Sequence, residues 1–258
     1  MIHQASVGAS ALDKVAFLAA LGPESRRLVL DLADTVRIRR GESLFHAGEA
    51  ALDCFLIITG KVKLTRLAKR QPPPPPAPAP HQRLTIAQRR QLAKNVTPQR
   101  ESLQWLMGPG DIFGELSVFD QGTRSSSAQA VSDATMLRFE GAELAQVVNT
   151  RPDVSSAMLA QLATRLRRGD DHTAGLVLSD VPGRLAWLML HLQERFGDPD
   201  EPGWITHDLT QREIAQFVGA SRESVSKVLS DFEARGLIET KPRRVRVLAA
   251  DRLAARME

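Results

Sequence analysis

Apolar and polar residues alternate through much of the first half of the chain, in short runs separated by glycines. Such runs fill residues 35–64, where Gly41, Gly48 and Gly60 mark the turns between them, and they resume over residues 103–139. A period of two residues predicts β-strands. Short strands with glycine turns at this frequency predict an antiparallel barrel or jelly roll.

Helical spacing of apolar residues flanks this strand-rich region. Short helices are predicted over residues 11–21, 23–33 and 141–149, and a Gly-Pro step separates the first two. Pro152 then opens a much longer helix.

The long helix carries a heptad pattern. Its apolar and small positions are spaced alternately by three and four residues: Leu159, Leu162, Leu166, Gly169, Thr173 and Leu176. Such a seam predicts packing against a second helix, so we expect a homodimer; the alternative is that the stripe packs on the chain's own barrel. A glycine inside a helix costs about 1 kcal/mol relative to alanine. We therefore expect the helix around Gly169 to be fully ordered only when a ligand binds.

Two short helices and a hairpin are predicted near the C-terminus. Thr210 and Glu213 form a capping box that begins the first helix, Gly219 ends it, and Ser221 caps the second. Two helices joined by a tight glycine-containing turn are typical of a helix-turn-helix. Residues 237–248 then predict two strands around Lys-Pro-Arg-Arg, a basic wing.

Positive charge is concentrated in one segment. The formal net charge is +4, but the stretch from Arg66 to Glu101 holds eight Lys or Arg against one acid, so the rest of the chain carries −3. The same region, about residues 68–102, contains eight prolines, seven of them within residues 72–80, and these seven favour a stiff polyproline II arm. We expect a solvated, partly disordered insertion in the barrel; binding to DNA phosphates, RNA polymerase or an anionic ligand is the alternative.

Several classes of protein are disfavoured. The single cysteine, Cys54, excludes a disulfide within the chain and a cysteine-ligated cluster or zinc site. Asp13 and Lys14 interrupt any signal peptide, and no apolar run reaches transmembrane length, so we expect a cytoplasmic protein without a membrane partner. With no metal cluster, nucleophile–base pair or Walker loop, we expect no enzyme, no catalytic residue and no metal.

The stretch FGELSVFDQGTRSSSAQAV, residues 113–131, combines groups that suit a phosphorylated sugar. The Arg124 guanidinium can hold two anionic oxygens, and hydroxyls beginning at Ser125 can complete a phosphate shell. Glu115 can accept a ribose hydroxyl, and Gly114 lets the backbone approach closely. The alternative is an ordinary surface hairpin that carries a Glu/Arg pair.

The second C-terminal helix projects four polar residues: Arg222, Glu223, Ser226 and Lys227. Arg222 can hold guanine through O6 and N7, and Glu223 can accept from the cytosine amine. Arg243 and Arg244 of the wing can contact phosphates. Residues 181–258 carry no net charge, so this prediction of a DNA reader depends on local placement, with a plain helical hairpin as the alternative.

Three segments resemble the catabolite activator protein/FNR (CRP/FNR) family of dimeric transcription regulators, and more closely its cyclic-AMP-responding branch. They are FGELSVFDQGTRSS, the helix leading into DVPGR, and DLTQREIAQFVGASRESVSKVL with its wing. The resemblance implies an α+β chain with an antiparallel β jelly-roll for a cyclic nucleotide at 1–150, a dimerisation helix at 151–180, and a winged helix-turn-helix at 181–258. The segment at 68–102 is an insertion in this plan.

The resemblance also implies roles for individual residues. Gly114, Glu115 and Leu116 would meet the ribose and phosphate, and Arg124 and Ser125 the cyclic phosphate. Arg222, Glu223 and Lys227 would read TGTGA-like half-sites of a palindromic operator, with RNA polymerase as a further partner. The best-known member has arginine where Lys227 stands, and lysine cannot form the bidentate fork. The implied function is a DNA-binding transcription regulator controlled by a cyclic nucleotide, in the first place cyclic AMP.

One departure from the family leaves the effector open. The positions where cyclic-AMP binders carry a Thr-Ser or Thr-Asn pair against the adenine amine are Gly169 and Asp170 here. Asp170 can accept the adenine N6 hydrogens, but a carboxylate also suits the N1 and N2 donors of guanine. Cyclic GMP, cyclic di-GMP and nucleotide-independent DNA binding therefore remain alternatives.

Overall fold

The computed structural model describes residues 12–13, 15–67, 101–120, 122–198 and 201–257. The basic proline arm predicted over residues 68–102 lies almost wholly outside these ranges. Its predicted end is wrong by two residues, because Glu101 and Ser102 pair within a strand.

Within these ranges, eight strands of the N-terminal part form two antiparallel sheets, which confirms the predicted jelly roll. The strands are β1 Asp34–Ile38, β2 Ser43–Phe45, β3 Asp53–Thr59, β4 Val62–Leu67, β5 Glu101–Met107, β6 Ile112–Phe113, β7 Ser127–Ala130 and β8 Ala134–Glu140. One sheet has the order β1-β8-β3-β6 and the other β2-β7-β4-β5. The glycine turns agree with this arrangement, since Gly60 between β3 and β4 has a φ of 82°, which glycine adopts without strain.

Strand β3 is continuously apolar because both of its faces are covered. Cys54, Leu56 and Ile58 contact a helical layer. Phe55 and Ile57 point into the core between the two sheets. Successive side chains of a strand point to opposite faces, so burial on both sides produces an unbroken apolar run.

The helical layer is built from segments on either side of the barrel. Its helices are α1 Ala16–Ala19, α2 Pro23–Asp31, α3 Leu116–Phe119, α4 Gly141–Thr150 and the long α5 Pro152–Leu178. Helix α1 is shorter than predicted, because Val15 before it is extended.

Helix α5 is continuous from Pro152 to Leu178, so the local loss of order expected around Gly169 is not present in this structure. The predicted heptad seam is also wrong, because its residues do not all lie on one exposed face of the helix. Leu162 packs on the chain's own helical layer, and Leu176 approaches Gly219. Leu159 and Leu166 are 63% and 66% exposed.

The exposed stripe of α5 follows its own heptad spacing of four and three residues. It consists of Leu159, Ala163, Leu166, Asp170, Thr173 and Val177. Below, this set is called the outer stripe.

The C-terminal part is a winged helix-turn-helix. Its elements are α6 Val181–Phe196, β9 Trp204–Thr206, α7 Gln211–Val218, α8 Arg222–Ala234, β10 Ile238–Lys241, β11 Arg244–Val247 and α9 Ala250–Ala254. The capping box at Thr210 and the Ser221 cap are both present, and Gly219 ends α7 with a φ of 64°. Strand β9 was not predicted; it pairs with β11 to complete a three-stranded sheet.

The two halves share a continuous apolar core. Leu103 and Leu106 of β5 pack with Leu185 and Leu188 of α6 and with Phe217 of α7. The winged part is therefore packed against the β2-β7-β4-β5 sheet.

Candidate functional site

Five of the six residues predicted for the effector pocket surround one small cavity of about 30 Å³. They are Gly114, Glu115, Leu116, Arg124 and Ser125. The cavity lies between the jelly roll and α5, which contributes Arg165. Its volume is that of about one water molecule, so a larger ligand requires side chains to move.

The two charged residues of this cavity are buried. Glu115 is 2% exposed and Arg124 is 7% exposed. The alternative of an ordinary surface hairpin is therefore wrong. Because burying a charge is costly unless it is paired, each side chain must have defined partners.

Arg124 is held so that part of its guanidinium has no partner in the described part of the chain. Its Nη1 donates to the Asp53 carbonyl at 2.7 Å, and its Cζ lies 4.1 Å above the Phe45 ring centroid. Its Nε is buried without a hydrogen-bond acceptor among the described residues. Burial lowers the pKa of the Arg124 guanidinium. A buried N–H that lacks an acceptor is costly, so this arrangement suits an anionic ligand oxygen.

Gly114 makes this placement of Arg124 feasible. Its φ is 74°, and a Cβ atom there would lie 2.7 Å from Arg124 Nη1. Only glycine combines this backbone conformation with so close an approach.

Glu115 pairs with a residue that sequence reasoning missed. Its Oε2 accepts from Arg165 Nη1 at 2.9 Å, and no ion pair joins it to Arg124 in the described part of the chain. Arg165 lies on α5, one helical turn before Gly169, and this spacing to the predicted base position was the signal available in the sequence. In this structure Arg165 is paired with the carboxylate that was predicted to accept a ribose hydroxyl.

Asp170, the sixth predicted residue, does not line this cavity. It is exposed on the outer stripe of α5. Its neighbour Gly169 faces inward, where a Cβ would lie 3.1 Å from Cη2 of Trp105. Trp105, on β5, was another residue missed in the sequence.

The predicted DNA-reading residues lie on α8. Arg222, Glu223 and Lys227 are exposed, and Ser226 is half-buried. Hydrogen bonds from its own backbone N–H and from the Ser221 hydroxyl lower the pKa of the Glu223 carboxyl, which keeps it an acceptor. Neither Arg222 nor Lys227 forms an ion pair within the ranges that the structure describes, so both can approach base edges.

The two wing arginines differ from one another. Arg243 is exposed at the tip, with a φ of 63°. Arg244 is half-buried; its Nη2 pairs with Glu201 at 2.6 Å, and its Cζ lies 4.9 Å from the Trp204 ring centroid. This geometry favours Arg243 as the phosphate contact.

Comparisons with known proteins agree with both halves of this geometry. Residues 92–151 match the model of a cyclic nucleotide-binding domain, and residues 183–256 match that of a Crp-like helix-turn-helix domain. A CRP-like cAMP-activated global transcriptional regulator of Mycobacterium tuberculosis is 39% identical over 218 residues, which cover 84% of this chain and 85% of the relative. The chain belongs to the CRP/FNR family of transcription regulators.

Solved structures share the fold of this CRP/FNR regulator. FixK2 from Bradyrhizobium japonicum has a TM-score of 0.69 at 20% identity, covering 86% of this chain and 96% of its own. The c-di-GMP responsive global regulator CLP of Xanthomonas campestris has a TM-score of 0.64 at 20% identity, covering 88% and 99%. Family membership makes this chain a DNA-binding regulator with a cyclic-nucleotide-binding domain, and not an enzyme.

Two lysine ion pairs help to attach the winged part of this CRP/FNR regulator to the jelly roll, beside a longer pair of 4.0 Å between Arg40 Nη1 and Asp208 Oδ1. Lys61 Nζ lies 2.8 Å from Asp208 Oδ2, and Lys63 Nζ lies 2.6 Å from Glu213 Oε1. Burial raises the pKa of Glu213, but hydrogen bonds from Lys63 and Thr210 outweigh it, so the net shift is downward. The capping carboxylate of α7 is thus also part of the junction.

A third junction links the pocket region to α5 and α6. The Asp111 carboxylate forms ion pairs with Arg195 of α6 and with Arg168 of α5, the latter at 3.6 Å. It also accepts from the Gly108 backbone N–H at 2.8 Å. Because Arg168 directly precedes Gly169, one carboxylate joins the helix beside the pocket to the winged part.

Among the residues that the structure describes, no helix is long and apolar enough to cross a membrane. Within the same ranges, no group of three or more His, Cys, Asp or Glu side chains is arranged to hold a metal ion.

Proposed function

We propose that this regulator is a homodimer whose binding to a palindromic operator is controlled by a cyclic nucleotide, and that the effector is cyclic AMP. The observation that carries the proposal is the buried Arg124 guanidinium, whose Nε has no acceptor in the described part of the chain. A cyclic phosphate supplies such an acceptor, and Ser125 beside it supplies a hydroxyl. The relative from Mycobacterium tuberculosis, by its name, is activated by cAMP.

Binding of the ribose at Glu115 would displace Arg165 from that carboxylate. Gly114, Glu115 and Leu116 then form the ribose side of the pocket. The released Arg165 is one turn from Arg168, which shares Asp111 with Arg195 of the winged part. Ligand binding therefore changes the charges beside this junction. The ligand can raise DNA affinity only as far as it binds the DNA-binding conformation of the protein more tightly than the other conformation.

The outer stripe supports dimerisation. Its heptad spacing and its exposed leucines fit a seam between two parallel copies of α5. Asp170 belongs to this stripe, so it would reach the base across the dimer rather than in its own chain. A carboxylate there suits the donors of guanine as well as adenine, so cyclic GMP and cyclic di-GMP are the effectors to compare.

The dimer would set two copies of α8 about 34 Å apart, one turn of DNA. Arg222, Glu223 and Lys227 would read TGTGA-like half-sites, Ser226 would add a polar contact, and Arg243 would bind a phosphate, with Arg244 supporting the wing. In this scheme residues 1–150 bind the effector, 151–180 form the dimer and 181–258 bind DNA. RNA polymerase is the partner through which a bound regulator of this type would act.

Fluorescence anisotropy tests the proposal. A labelled TGTGA palindrome is titrated with protein at fixed salt, with no nucleotide, cyclic AMP, cyclic GMP or cyclic di-GMP. Cyclic AMP is expected to tighten binding most. Four identical binding curves would contradict control by these nucleotides. If only cyclic GMP or only cyclic di-GMP shifts the curve, that nucleotide is the effector instead of cyclic AMP. Sedimentation of the same protein tests the dimer, with Leu166→Lys as the variant expected to dissociate it.

A further inference from the structure

We infer that Trp105 forms the wall on which the base of the effector stacks, and that Gly169, which has no side chain, leaves room for the indole. The inference rests on the proposed function of the pocket. It identifies Trp105 as a specificity-determining residue. Recognition of the base then depends chiefly on the aromatic face of the indole.

The position of Trp105 follows from the strand register. Trp105 is the partner of Leu64 across β4 and β5, and Leu64 lines the same cavity as Arg124 and Glu115. Trp105 lines the adjoining cavity, which shares Glu115 and Arg165 with the first. A ligand with its phosphate at Arg124 and its ribose at Glu115 would therefore direct its base towards Trp105.

One face of the indole is turned towards this space. The Arg165 guanidinium lies over it, with Cζ 5.8 Å from the ring centroid, while the same guanidinium pairs with Glu115. Trp105 is half-buried. When a ribose takes Glu115 and Arg165 is released, a planar base can replace the planar cation over the ring.

Gly169 and Trp105 are in close contact, so a larger residue at position 169 requires the indole to shift. A Cβ on Gly169 would lie 3.1 Å from Cη2 and 3.2 Å from Cζ2 of the indole. A glycine at this point of α5 is unfavourable for the helix, so it requires a packing reason, and the indole supplies one. The ring takes the space that a helix side chain would need to reach the base.

An indole in the place of a helix side chain changes how the base is recognised. A side chain on α5 could read an edge of the base, whereas an indole presents a π-face that accepts any base and only one N–H donor. Stacking of a base on an aromatic side chain is worth about 5- to 150-fold in affinity. We therefore expect cyclic AMP and cyclic GMP both to bind through Trp105, and the pocket to prefer purines over pyrimidines because their rings are larger.

Calorimetry on the full-length protein separates the base from the rest of the ligand. The ligands are cyclic AMP, cyclic GMP and ribose 3′,5′-cyclic phosphate, which has no base. Trp105→Leu is expected to weaken both nucleotides about tenfold, within the range for a lost stacking partner. It should leave the affinity for the baseless ligand within about twofold, whereas Trp105→Phe should retain most of the nucleotide affinity.

The outcomes distinguish this inference from the proposed function. Failure of the wild-type protein to bind cyclic AMP contradicts the proposed function itself. Normal wild-type binding, together with equal weakening of all three ligands by Trp105→Leu, overturns the base wall, since the loss is then structural. Unchanged cyclic AMP binding by that variant overturns it as well. If Trp105→Leu does not fold, Trp105→Phe and Gly169→Ala take its place, with Gly169→Ala expected to weaken only the two nucleotides.

A double-mutant cycle tests the pairing with Gly169. Gly169→Thr is expected to weaken cyclic AMP several-fold in the wild-type background, because its side chain displaces the indole. In the Trp105→Leu background the same change should cost less, since the space is free. Strictly additive losses of cyclic AMP affinity would show that the two positions are independent, and would overturn the inferred pairing of Gly169 with Trp105.

Discussion

The nucleotide pocket and the recognition helix use the same residue types in opposite environments. Each combines arginine, glutamate and serine in one short stretch of sequence. In the pocket, Glu115 and Arg124 are buried. On α8, Arg222 and Glu223 are exposed.

The difference lies in what fixes each side chain. Arg124 is positioned by a backbone carbonyl and an aromatic ring, and Glu115 by Arg165 from a helix 50 residues away. Within the described ranges, Arg222 and Glu223 lie exposed at the start of α8, which begins at the Ser221 cap, and neither forms an ion pair there. Buried charges are therefore preorganised for one ligand, whereas exposed charges remain adaptable to a base edge.

The largest expected effect on ligand binding is at the buried arginine. Arg124→Leu should weaken cyclic nucleotide binding by about 30-fold or more, because removing one partner of a buried charge contact costs about 2 kcal/mol or more. Isothermal calorimetry measures it, with Arg222→Ala as the matched control from the exposed site. Equal nucleotide affinities of the two variants would remove the contrast between the sites.

The second effect concerns burial at the junction of the winged part. His207 is 5% exposed, its Nδ1 accepts from the Leu209 N–H, and burial lowers its pKa to about 4. Asp208, Lys61 and Glu213 are the charged groups near it.

Below its ordinary pKa of 6.5 the imidazole takes up a proton in the unfolded chain but not in the folded one. The free energy of unfolding should therefore fall as pH drops from 6.5 to about 4, by roughly 3 kcal/mol for this residue. Urea denaturation across this range measures it. His207→Asn retains an acceptor but no titration, so its stability should depend less on pH; an unchanged pH dependence would contradict the assignment.

A third effect sharpens the exposed side of the comparison. Arg222→Ala should cost about 1–3 kcal/mol of binding to the preferred operator and relax the preference at one base position. Arg243→Ala should weaken binding about equally on all sequences and reduce its salt dependence, because we propose that Arg243 binds a phosphate. Anisotropy on specific and scrambled duplexes separates the two patterns, and identical patterns would refute the division between base and phosphate contacts.

The smallest effect tests how α8 is positioned. Ser221→Ala should lower the free energy of unfolding by about 1 kcal/mol, since the Ser224 N–H loses its acceptor. Thermal denaturation checks this, and Thr210→Ala at the start of α7 is the matched variant. A stability equal to that of wild type would show that tertiary packing alone begins α8.

Features encoded locally were predicted well. The capping box at Thr210, the Ser221 cap and the end of α7 at Gly219 depend on residues a few positions apart, and all were predicted correctly. Strand β9 was missed, because Trp204–Thr206 is only three residues long and forms a strand through its pairing with β11. The heptad seam was misread, since inward-facing and outward-facing positions on α5 are adjacent and both include leucines.

By itself, the sequence determined most of the order of elements, the jelly roll, the winged helix-turn-helix and five of the residues that gather at the pocket, because periodicity, caps and turn glycines act over a few residues. Only the tertiary structure decided that Glu115 pairs with Arg165, that Trp105 meets Gly169, and that Asp170 faces outward. These contacts join segments about 50 or more residues apart, or depend on which face of a helix is covered. Packing between elements selects them, and no local pattern in the chain specifies that choice.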